Sequence, residues 1–597
     1  MSELIRRCVR GIRRWEQPHI LIDQARWLLI AAMVGVLSGT ASAILLASLD
    51  WATEFRESHR WIIALLPLAG LAVGLLYRLY GRTVEAGNNL ILDEIHLPKA
   101  TIQFRMTPLI LLGTAMTHLF GGSAGREGTA IQTGASLADQ LTQPLGLNDR
   151  DRKILLMAGL SGGFGSVFGT PLSGAIFGIE VLAIGRIGYG AIFPCFVAAF
   201  IGDFTTRAWG IHHTIFSVTG VPQLNPMRFL AACAAGIAFG LVGMAFSKTT
   251  HAFGHWAKVS ISWSPMRPFV GGALVAAAVF ALGTTRFIGL GIPTIVAAFS
   301  QHLPPYDFAA KLIFTAVTLG FGFKGGEVTP LFFIGATLGN ALSGALPLPA
   351  SLLAGMGFVA VFAGAANTPI ASTLMAVELF GAEAGAYAAI ACVVSYLFSG
   401  HAGIYPAQRV GNSKHERNQS HEGLSLAHVA ERQKQTTGSI LQSIEQFGLF
   451  EGSLMEHLSV LRLYFSAAQV VRADKWWKRF APQSLGAHLL KQAHTFGIEQ
   501  ALLQRVIGGY LKNQELLMDN GEIPQSKLPQ CLELVGEEEN IQAFLDSNRE
   551  HLARVRVVFL RGHEAQVESA IDRDELEQML AIEKEEQQDI SGEPDDE

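Results

Sequence analysis

The sequence predicts an all-α polytopic membrane domain with an inverted repeat and re-entrant helices, followed by a smaller α+β cytoplasmic domain of ferredoxin-like fold. Half of the 597 residues are hydrophobic and only 16% are charged, which is too apolar for an ordinary soluble protein. Two motif pairs recur about two hundred residues apart. The charge balance also changes along the chain, from a net +7 over 1–410 to a net −12 over 411–597.

The membrane part is predicted to follow a short basic segment. Residues 1–26 contain an arginine-rich stretch, which the positive-inside rule places in the cytoplasm. Residues 27–410 hold ten stretches without Asp, Glu, Lys or Arg, such as 27–49 and 328–377. A straight span needs about 20 apolar residues, and several stretches are shorter or broken by Gly and Pro. We therefore expect tilted, broken and re-entrant helices in a multi-pass protein.

An internal repeat is the strongest structural signal in this part. The string GREGT at 125–129 is followed by GASL at 134–137, and GEVTP at 326–330 by GATL at 335–338, a shift of 201. TPL at 170–172 and TPI at 368–370 are each followed by a glutamate, Glu180 and Glu378, at a shift of 198. Duplicated halves with Gly/Pro-interrupted helices indicate a transport site near the membrane midplane.

Four glutamates lie in or beside apolar stretches, where a charge costs roughly 2.5–3.5 kcal/mol and needs a function or a partner. For Glu180 and Glu378 we favour a structural role, in which each carboxylate is capped by backbone N–H groups or paired with Arg and holds helices together. Glu127 lies between two glycines at the start of a predicted helix, 128–141, where N–H groups and the helix dipole attract anions. A protonatable carboxylate there predicts both a gate and a proton carrier. Glu327 is a second candidate for handling protons or anions.

The second half supplies a facing helix start. Pro330 suits a first helical turn, and Thr329 places a hydroxyl beside the free N–H groups. Two converging helix N-termini form an anion site without a fixed Lys or Arg. Taken alone, Thr329 is an ordinary N-cap, and only the repeat supports the anion site.

These residues resemble those of the CLC superfamily of chloride channels and anion/proton transporters, over roughly 25–410. GREG matches the family's gating loop, which implies Glu127 as the gate. GGEVTP at 325–330 matches its second anion loop, and HAGIYPAQ at 401–408 resembles the segment with its central tyrosine, here Tyr405. The resemblance implies CLC-type architecture, a homodimer, and an anion path formed by the following residues: Asn88, Gly128, Thr129, Val328, Thr329 and Tyr405.

Three differences are similar to the fluoride-selective CLC branch, the bacterial fluoride/proton antiporters. Asn88 stands where chloride-type members have a serine, GREGP reads GREGT, and the second loop carries Glu327 and Thr329. Val181 occupies the position of the internal proton glutamate of chloride/proton exchangers, which the fluoride branch also lacks. The resemblance implies fluoride export in exchange for protons, in a bacterial inner membrane with both termini cytoplasmic. Amide and hydroxyl donors suit a small, strongly hydrated anion.

The C-terminal part begins with a polar linker, 411–457. A βαββαβ rhythm follows over 458–562, with strands near 458–465, 502–510, 531–535 and 555–560 and helices near 484–496 and 539–552. This order predicts a ferredoxin-like fold, and the segment resembles the PII-like signalling domains. The resemblance implies regulation through a small ligand such as a nucleotide. A domain that binds no ligand and only holds subunits together as a dimer or trimer is equally favoured. The acidic tail, 563–597, is predicted to be disordered.

Other functions remain as alternatives. A chloride/proton antiporter or a passive anion channel is the nearest, and a transport-inactive membrane sensor is the next. An enzyme is disfavoured because no metal-ligand set, nucleophile elbow or phosphate loop occurs, and no cofactor or metal is expected. No dense basic stripe interleaved with aromatic residues indicates a nucleic-acid partner.

Overall fold

The structure is a computed structural model that describes residues 16–415, 421–432, 458–466, 469, 484–505, 508–509, 517–518, 529–549, 551–552 and 555–561. Its contacts divide the chain into two units, 1–436 and 437–597. Most of the predicted N-terminal segment, part of the linker and the predicted tail lie outside the described residues.

The first unit is helical and duplicated. Among the described residues, its first half contains two short 3-10 helices, Arg60–Leu65 and Tyr189–Ala191, and eight α-helices: α1 Glu16–Ser58, α2 Leu66–Tyr80, α3 Asn88–His96, α4 Met106–Leu119, α5 Glu127–Asp139, α6 Asp149–Phe168, α7 Pro171–Glu180 and α8 Ile192–Ala208. Eight more follow: α9 Pro226–Ser260, α10 Met266–Leu282, α11 Ile292–Ala298, α12 Asp307–Gly320, α13 Val328–Leu342, α14 Ala350–Ala366, α15 Pro369–Phe380 and α16 Ala382–Phe398.

The helices of the two halves correspond in order and spacing. The first residues of α4 and α12 are 201 positions apart, and so are those of α6 and α14. The first residues of α7 and α15 are 198 positions apart. The repeat read from the motifs therefore extends at least over α4 to α7 and α12 to α15. This duplication is what places two similar helix starts, α5 and α13, next to each other.

Helix lengths follow the interrupted apolar pattern of the sequence. Among the described residues, four helical segments are long and apolar enough to cross a membrane: Asp23–Ser58, Arg60–Tyr80, Tyr189–Ala208 and Pro226–Ser260. Six further apolar helices have only 10–17 residues, too few for a straight span. The predicted multi-pass membrane fold with short, broken helices is confirmed.

Close helix packing depends on glycine in both halves. A Cβ on Gly335 of α13 would lie 1.9 Å from the carbonyl oxygen of Gly357 in α14. In the first half, a Cβ on Gly134 of α5 would lie 2.4 Å from the carbonyl oxygen of Gly159 in α6. Small residues allow membrane helices to approach closely, and here they bring the two site-bearing helices, α5 and α13, against the largely buried helices α6 and α14.

The segment after α16 returns to the first unit. Strand β2, Arg409–Val410, pairs in parallel with β1, Ala183–Ile184. Residues 426–432 are helical, and Leu426 and Val429 pack against Ile184 and Val410. The beginning of the predicted linker therefore packs against the helical unit.

The second unit contains a four-stranded sheet. Its strands are β3 Leu458–Ser466, β4 Gln500–Arg505, β7 Pro529–Glu537 and β8 Arg556–Arg561, in the order β4-β7-β3-β8. All neighbouring pairs are antiparallel. Helix α17, Leu485–Thr495, and helix α18, Glu538–Ser547, supply side chains to its core. A small ladder pairs β5, Gly508–Gly509, with β6, Leu517–Met518, so the predicted strand 502–510 is split.

Candidate functional site

Two glycine loops from the two halves meet at the centre of the site. Gly125 and Gly326 exchange backbone hydrogen bonds, with N···O distances of 2.6 and 2.8 Å. A Cβ on Gly326 would lie 2.6 Å from the backbone nitrogen of Gly128, so only glycine allows this approach. The contact holds the N-terminal ends of α5 and α13 side by side, as the repeat predicted.

The Glu127 carboxylate is seated on the N-terminus of α13. Its Oε2 accepts a hydrogen bond from the backbone N–H of Thr329 at 3.0 Å, and its Oε1 accepts one from the Thr329 hydroxyl. The backbone N–H of Arg126 also donates to Oε2, at 3.1 Å. Glu127 is fully buried. A negative group therefore occupies the place where the helix start attracts an anion.

A small cavity of about 20 Å³ adjoins this carboxylate. Arg126, Glu127 and Thr329 line it together with apolar side chains such as Phe332 and Phe358. The volume is close to that of a single water-sized probe. The Arg126 Nε atom lies 3.6 Å from Glu127 Oε1, so the gate candidate has a cation beside it.

A second cavity, here called the Asn88 cavity, has a volume of about 140 Å³ and is lined by Asn88, Tyr405 and Glu327, among others. Asn88 is the first residue of α3, and Gly87 before it has φ of 59°, a left-handed conformation that suits glycine. Thus a helix start and its first side chain face the cavity that also contains Glu327 and Tyr405.

Two polar atoms of this cavity have no protein partner. The Oδ1 of Asn88 and the hydroxyl of Tyr405 are buried, and neither has a hydrogen-bond partner within the described part of the chain. Buried polar groups are normally paired, so an unpaired hydroxyl that faces a cavity is suited to form a hydrogen bond with a ligand in that cavity. The Tyr405 hydroxyl can donate to an anion, and the Asn88 amide nitrogen offers a second donor.

The other predicted anion-path residues are arranged differently. Gly128 lies next to Asn88, whose Nδ2 would be 3.2 Å from a Cβ at that position. The Thr129 hydroxyl is paired with the Thr114 hydroxyl at 2.6 Å. Val328 is fully buried at the start of α13. The structure brings Glu127 and Thr329 together, and Asn88, Glu327 and Tyr405 together. The other three predicted residues line neither cavity: Gly128, Thr129 and Val328.

Sequence reasoning missed three polar residues of the site: Arg126, Gln132 and Lys324. Gln132 and Lys324 line the Asn88 cavity, and the Lys324 ammonium lies 4.0 Å from the Tyr77 ring centroid. A charge inside a membrane segment is itself a functional signal, and that signal could have singled out Lys324, two residues before Gly326. Gln132 carries no comparable signal.

Glu180 and Glu378 have the structural role that we favoured. The Glu180 carboxylate accepts hydrogen bonds from the backbone N–H groups of Ile370 and Ala371 at 3.0 and 2.8 Å. Glu378 accepts from Leu172 and Ser173, both at 2.8 Å. Each glutamate caps the helix start of the opposite half.

Comparison with known proteins gives concordant matches. The model of the voltage gated chloride channel family matches residues 69–400. A chloride/fluoride channel protein of Pseudomonas syringae pv. tomato is 57% identical over 411 residues, which cover 68% of this chain and 91% of that protein.

Solved structures show the same fold. A CLC-type fluoride/proton antiporter is 34% identical, with a TM-score of 0.63 covering 65% of this chain and 98% of that one. A slow cyanobacterial Cl⁻/H⁺ antiporter is 19% identical, with a TM-score of 0.55 covering 63% of this chain and 94% of that one; this likeness concerns the fold alone. The chain belongs to the voltage gated chloride channel (CLC) family.

Proposed function

We propose that the protein transports fluoride out of the cell in exchange for protons. The observation that carries this proposal is the Glu127 carboxylate, which is seated on the helix start and hydroxyl of Thr329. An ionised Glu127 blocks that anion position. A protonated Glu127 has lost its charge and can leave it, so proton binding and anion entry are linked at one residue.

Fluoride as the anion is supported by the donors of the Asn88 cavity and by the relatives. A small, strongly hydrated anion needs short, strong donors to replace its water. The Tyr405 hydroxyl is such a donor and has no protein partner in the described part of the chain. The Asn88 side chain lines the same cavity, and its NH2 group is a second donor. The relative from Pseudomonas is named for chloride and fluoride, and the 34% identical structure is that of a fluoride/proton antiporter.

We propose Glu327 as the second proton-handling group. It lines the Asn88 cavity, whereas Glu127 lines the small cavity, and each lies within two residues of the Gly125–Gly326 contact. With one carboxylate lining each cavity, a proton can bind to two groups in succession. Thr129 and Val328 remain proposed only as contributors of backbone N–H groups at their helix starts.

The proposal also covers the oligomeric state of the protein, its location and the role of its second unit. We propose a homodimer in the inner membrane of a bacterium, with both termini in the cytoplasm. For the second unit we propose a ferredoxin-like, PII-like regulatory domain. Its support is the antiparallel strand order β4-β7-β3-β8 with two helices between strands, which is the order that a βαββαβ chain forms.

The deciding experiment is ion efflux from proteoliposomes loaded with fluoride or chloride, with external pH recorded. Fluoride efflux with proton counter-movement and little chloride efflux would support the proposal. Equal chloride efflux would favour the chloride-transporter alternative, and anion efflux without proton movement a passive channel. If neither ion moves from well-folded protein, the sensor alternative takes its place.

A further inference from the structure

A cavity of about 590 Å³ shares lining residues with the Asn88 cavity, and five of its lining side chains are basic while one, Glu85, is acidic. It is here called the basic pocket and is defined by five cations: Arg78, Arg82, Lys258, Arg267 and Lys324. They come from the end of α2, the end of α9, the start of α10 and the loop before α13. Separate parts of the chain thus place positively charged side chains around one cavity.

The five cations outnumber the carboxylates of the pocket, since Glu85 is the one acidic residue among its lining residues. In the part of the chain that the structure describes, no carboxylate oxygen lies within 4.0 Å of any of them. The two arginines with side-chain hydrogen bonds in this region donate to backbone carbonyls, Arg82 to Arg78 and Arg267 to Ile261, at 3.1 and 2.9 Å. Like charges around one cavity repel each other, and an anion bound there would relieve this repulsion.

The lining fits an anion larger than a halide. Arginine forks match the oxygens of phosphate in a bidentate way, and lysine adds point charge. Trp263 lines the same cavity and is 42% exposed. The volume lies in the range of small-molecule sites, roughly 300–1,000 Å³, and far exceeds what one fluoride ion needs.

We propose that the basic pocket binds a phosphate-bearing anion. The pocket lies where α2 and α9 end and α10 begins, and its excess of Arg and Lys places it on the cytoplasmic side by the positive-inside rule. The phosphate can belong to a soluble metabolite or to a lipid headgroup, because both present the same oxygens to the same cations.

The bound anion would affect transport through residues that the two cavities share. Tyr77, Glu85 and Lys324 line the basic pocket and also the Asn88 cavity. An anion in the basic pocket therefore lies beside the anion path and competes for the charge of Lys324. This consequence rests on the proposed transport function, whereas the binding itself does not.

Binding of pyrophosphate to the full-length protein in detergent micelles tests the soluble source, by isothermal titration at constant ionic strength set with gluconate. We expect saturable binding that R82Q/R267Q weakens at least tenfold. The charge-retaining pair R82K/R267K should restore part of it, which separates loss of charge from misfolding. R60Q is the matched control, since Arg60 is exposed and lies at the opposite end of the Arg60–Tyr80 span.

A lipid arm uses the same variants. Micelles doped with phosphatidic acid should raise the thermal unfolding midpoint above that in phosphatidylcholine, in wild type and R60Q but not in R82Q/R267Q. Binding of pyrophosphate assigns a soluble ligand, and stabilisation by phosphatidic acid alone assigns a lipid. The proposal is overturned if neither probe binds, or if R82Q/R267Q binds them as wild type does.

The effect on transport is measured separately. Pyrophosphate on the cytoplasmic side of oriented proteoliposomes should lower fluoride efflux in wild type and leave it unchanged in R82Q/R267Q. If pyrophosphate binds but efflux does not change in wild type, the site stands and its coupling to the anion path is refuted. If no fluoride moves under any condition, the proposed function fails while the binding result is unaffected.

Discussion

The carboxylate of Glu127 in the first half of the repeat is hydrogen-bonded to both the backbone N–H and the hydroxyl of Thr329 in the second half. The two residues thus form a contact that an anion and a proton can both break. An anion replaces the carboxylate at the helix start, and a proton removes its charge. This single contact gives the first prediction.

Replacing Glu127 with glutamine should uncouple proton movement from fluoride movement. The amide resembles the protonated acid in shape and charge but cannot release a proton. The measurement is simultaneous fluoride and pH recording from proteoliposomes. Glu383→Gln, an exposed carboxylate in the first turn of α16, is the control and should remain coupled. Wild-type proton coupling in Glu127→Gln would remove Glu127 from the role of gate.

Replacing Asn88 with serine should lower the preference for fluoride over chloride about three- to tenfold, which corresponds to one neutral hydrogen bond of roughly 0.5–1.5 kcal/mol. The shorter side chain no longer brings an amide donor to the Asn88 cavity. The ratio of fluoride to chloride efflux rates measures the effect. Asn148→Ser serves as control because Asn148 caps α6 at a distant helix start. An unchanged ratio in Asn88→Ser would exclude Asn88 from selectivity.

Replacing either capping glutamate with glutamine should destabilise the helical unit by similar amounts. Glutamine has one acceptor oxygen, so each substitution turns one charge-assisted hydrogen bond into a neutral one and loses the other, where the amide NH2 group would face a backbone N–H. The cost should be about 3 kcal/mol in total. Thermal unfolding midpoints of Glu180→Gln and Glu378→Gln in detergent should therefore fall together. A fall in one variant only would mean that the two caps are not equivalent, contrary to their matching geometry.

Truncations after residue 436 and after residue 410 should differ. The first removes only the second unit, and transport should persist. The second also removes Lys414, whose ammonium donates to the Asn367 side chain and to the Tyr396 and Gly400 carbonyls at 2.6–2.7 Å. We expect a lower unfolding temperature for it. Complete loss of transport in a well-folded chain ending at 436 would show that the second unit is required for transport.

His401 should make the unit less stable in mild acid. Burial, and then the charge of Lys414, lower the pKa of His401 from 6.5 to about 4. Its Nε2 accepts from the Lys414 backbone N–H at 3.4 Å, which requires that nitrogen to be unprotonated. The unfolded chain therefore binds more protons between pH 6.5 and 4, and stability falls as pH falls through this window. His401→Gln should flatten that dependence in pH-resolved thermal unfolding; an unchanged slope would contradict the assignment.

Residues that recur in both halves of the repeat could be predicted from the sequence. A structural role for Glu180 and Glu378 follows from their positions at the ends of equivalent helices, and the structure confirms that each caps a helix start. The pairing of Thr129 with Thr114 could not be predicted, because it depends on how α4 and α5 pack. The polar composition of 411–415 indicated a linker. In the structure, however, the Lys414 ammonium donates hydrogen bonds to the carbonyl oxygens of Tyr396 and Gly400 at the end of α16.

The reciprocal caps also have a consequence for biosynthesis. The ribosome completes α7 long before Glu378 is made, so the amides of Leu172 and Ser173 have no carboxylate partner until the second half emerges. The first half is therefore an unfinished folding intermediate, however complete its own helices are. Premature termination between the two halves should yield a product that membrane quality control recognises and degrades.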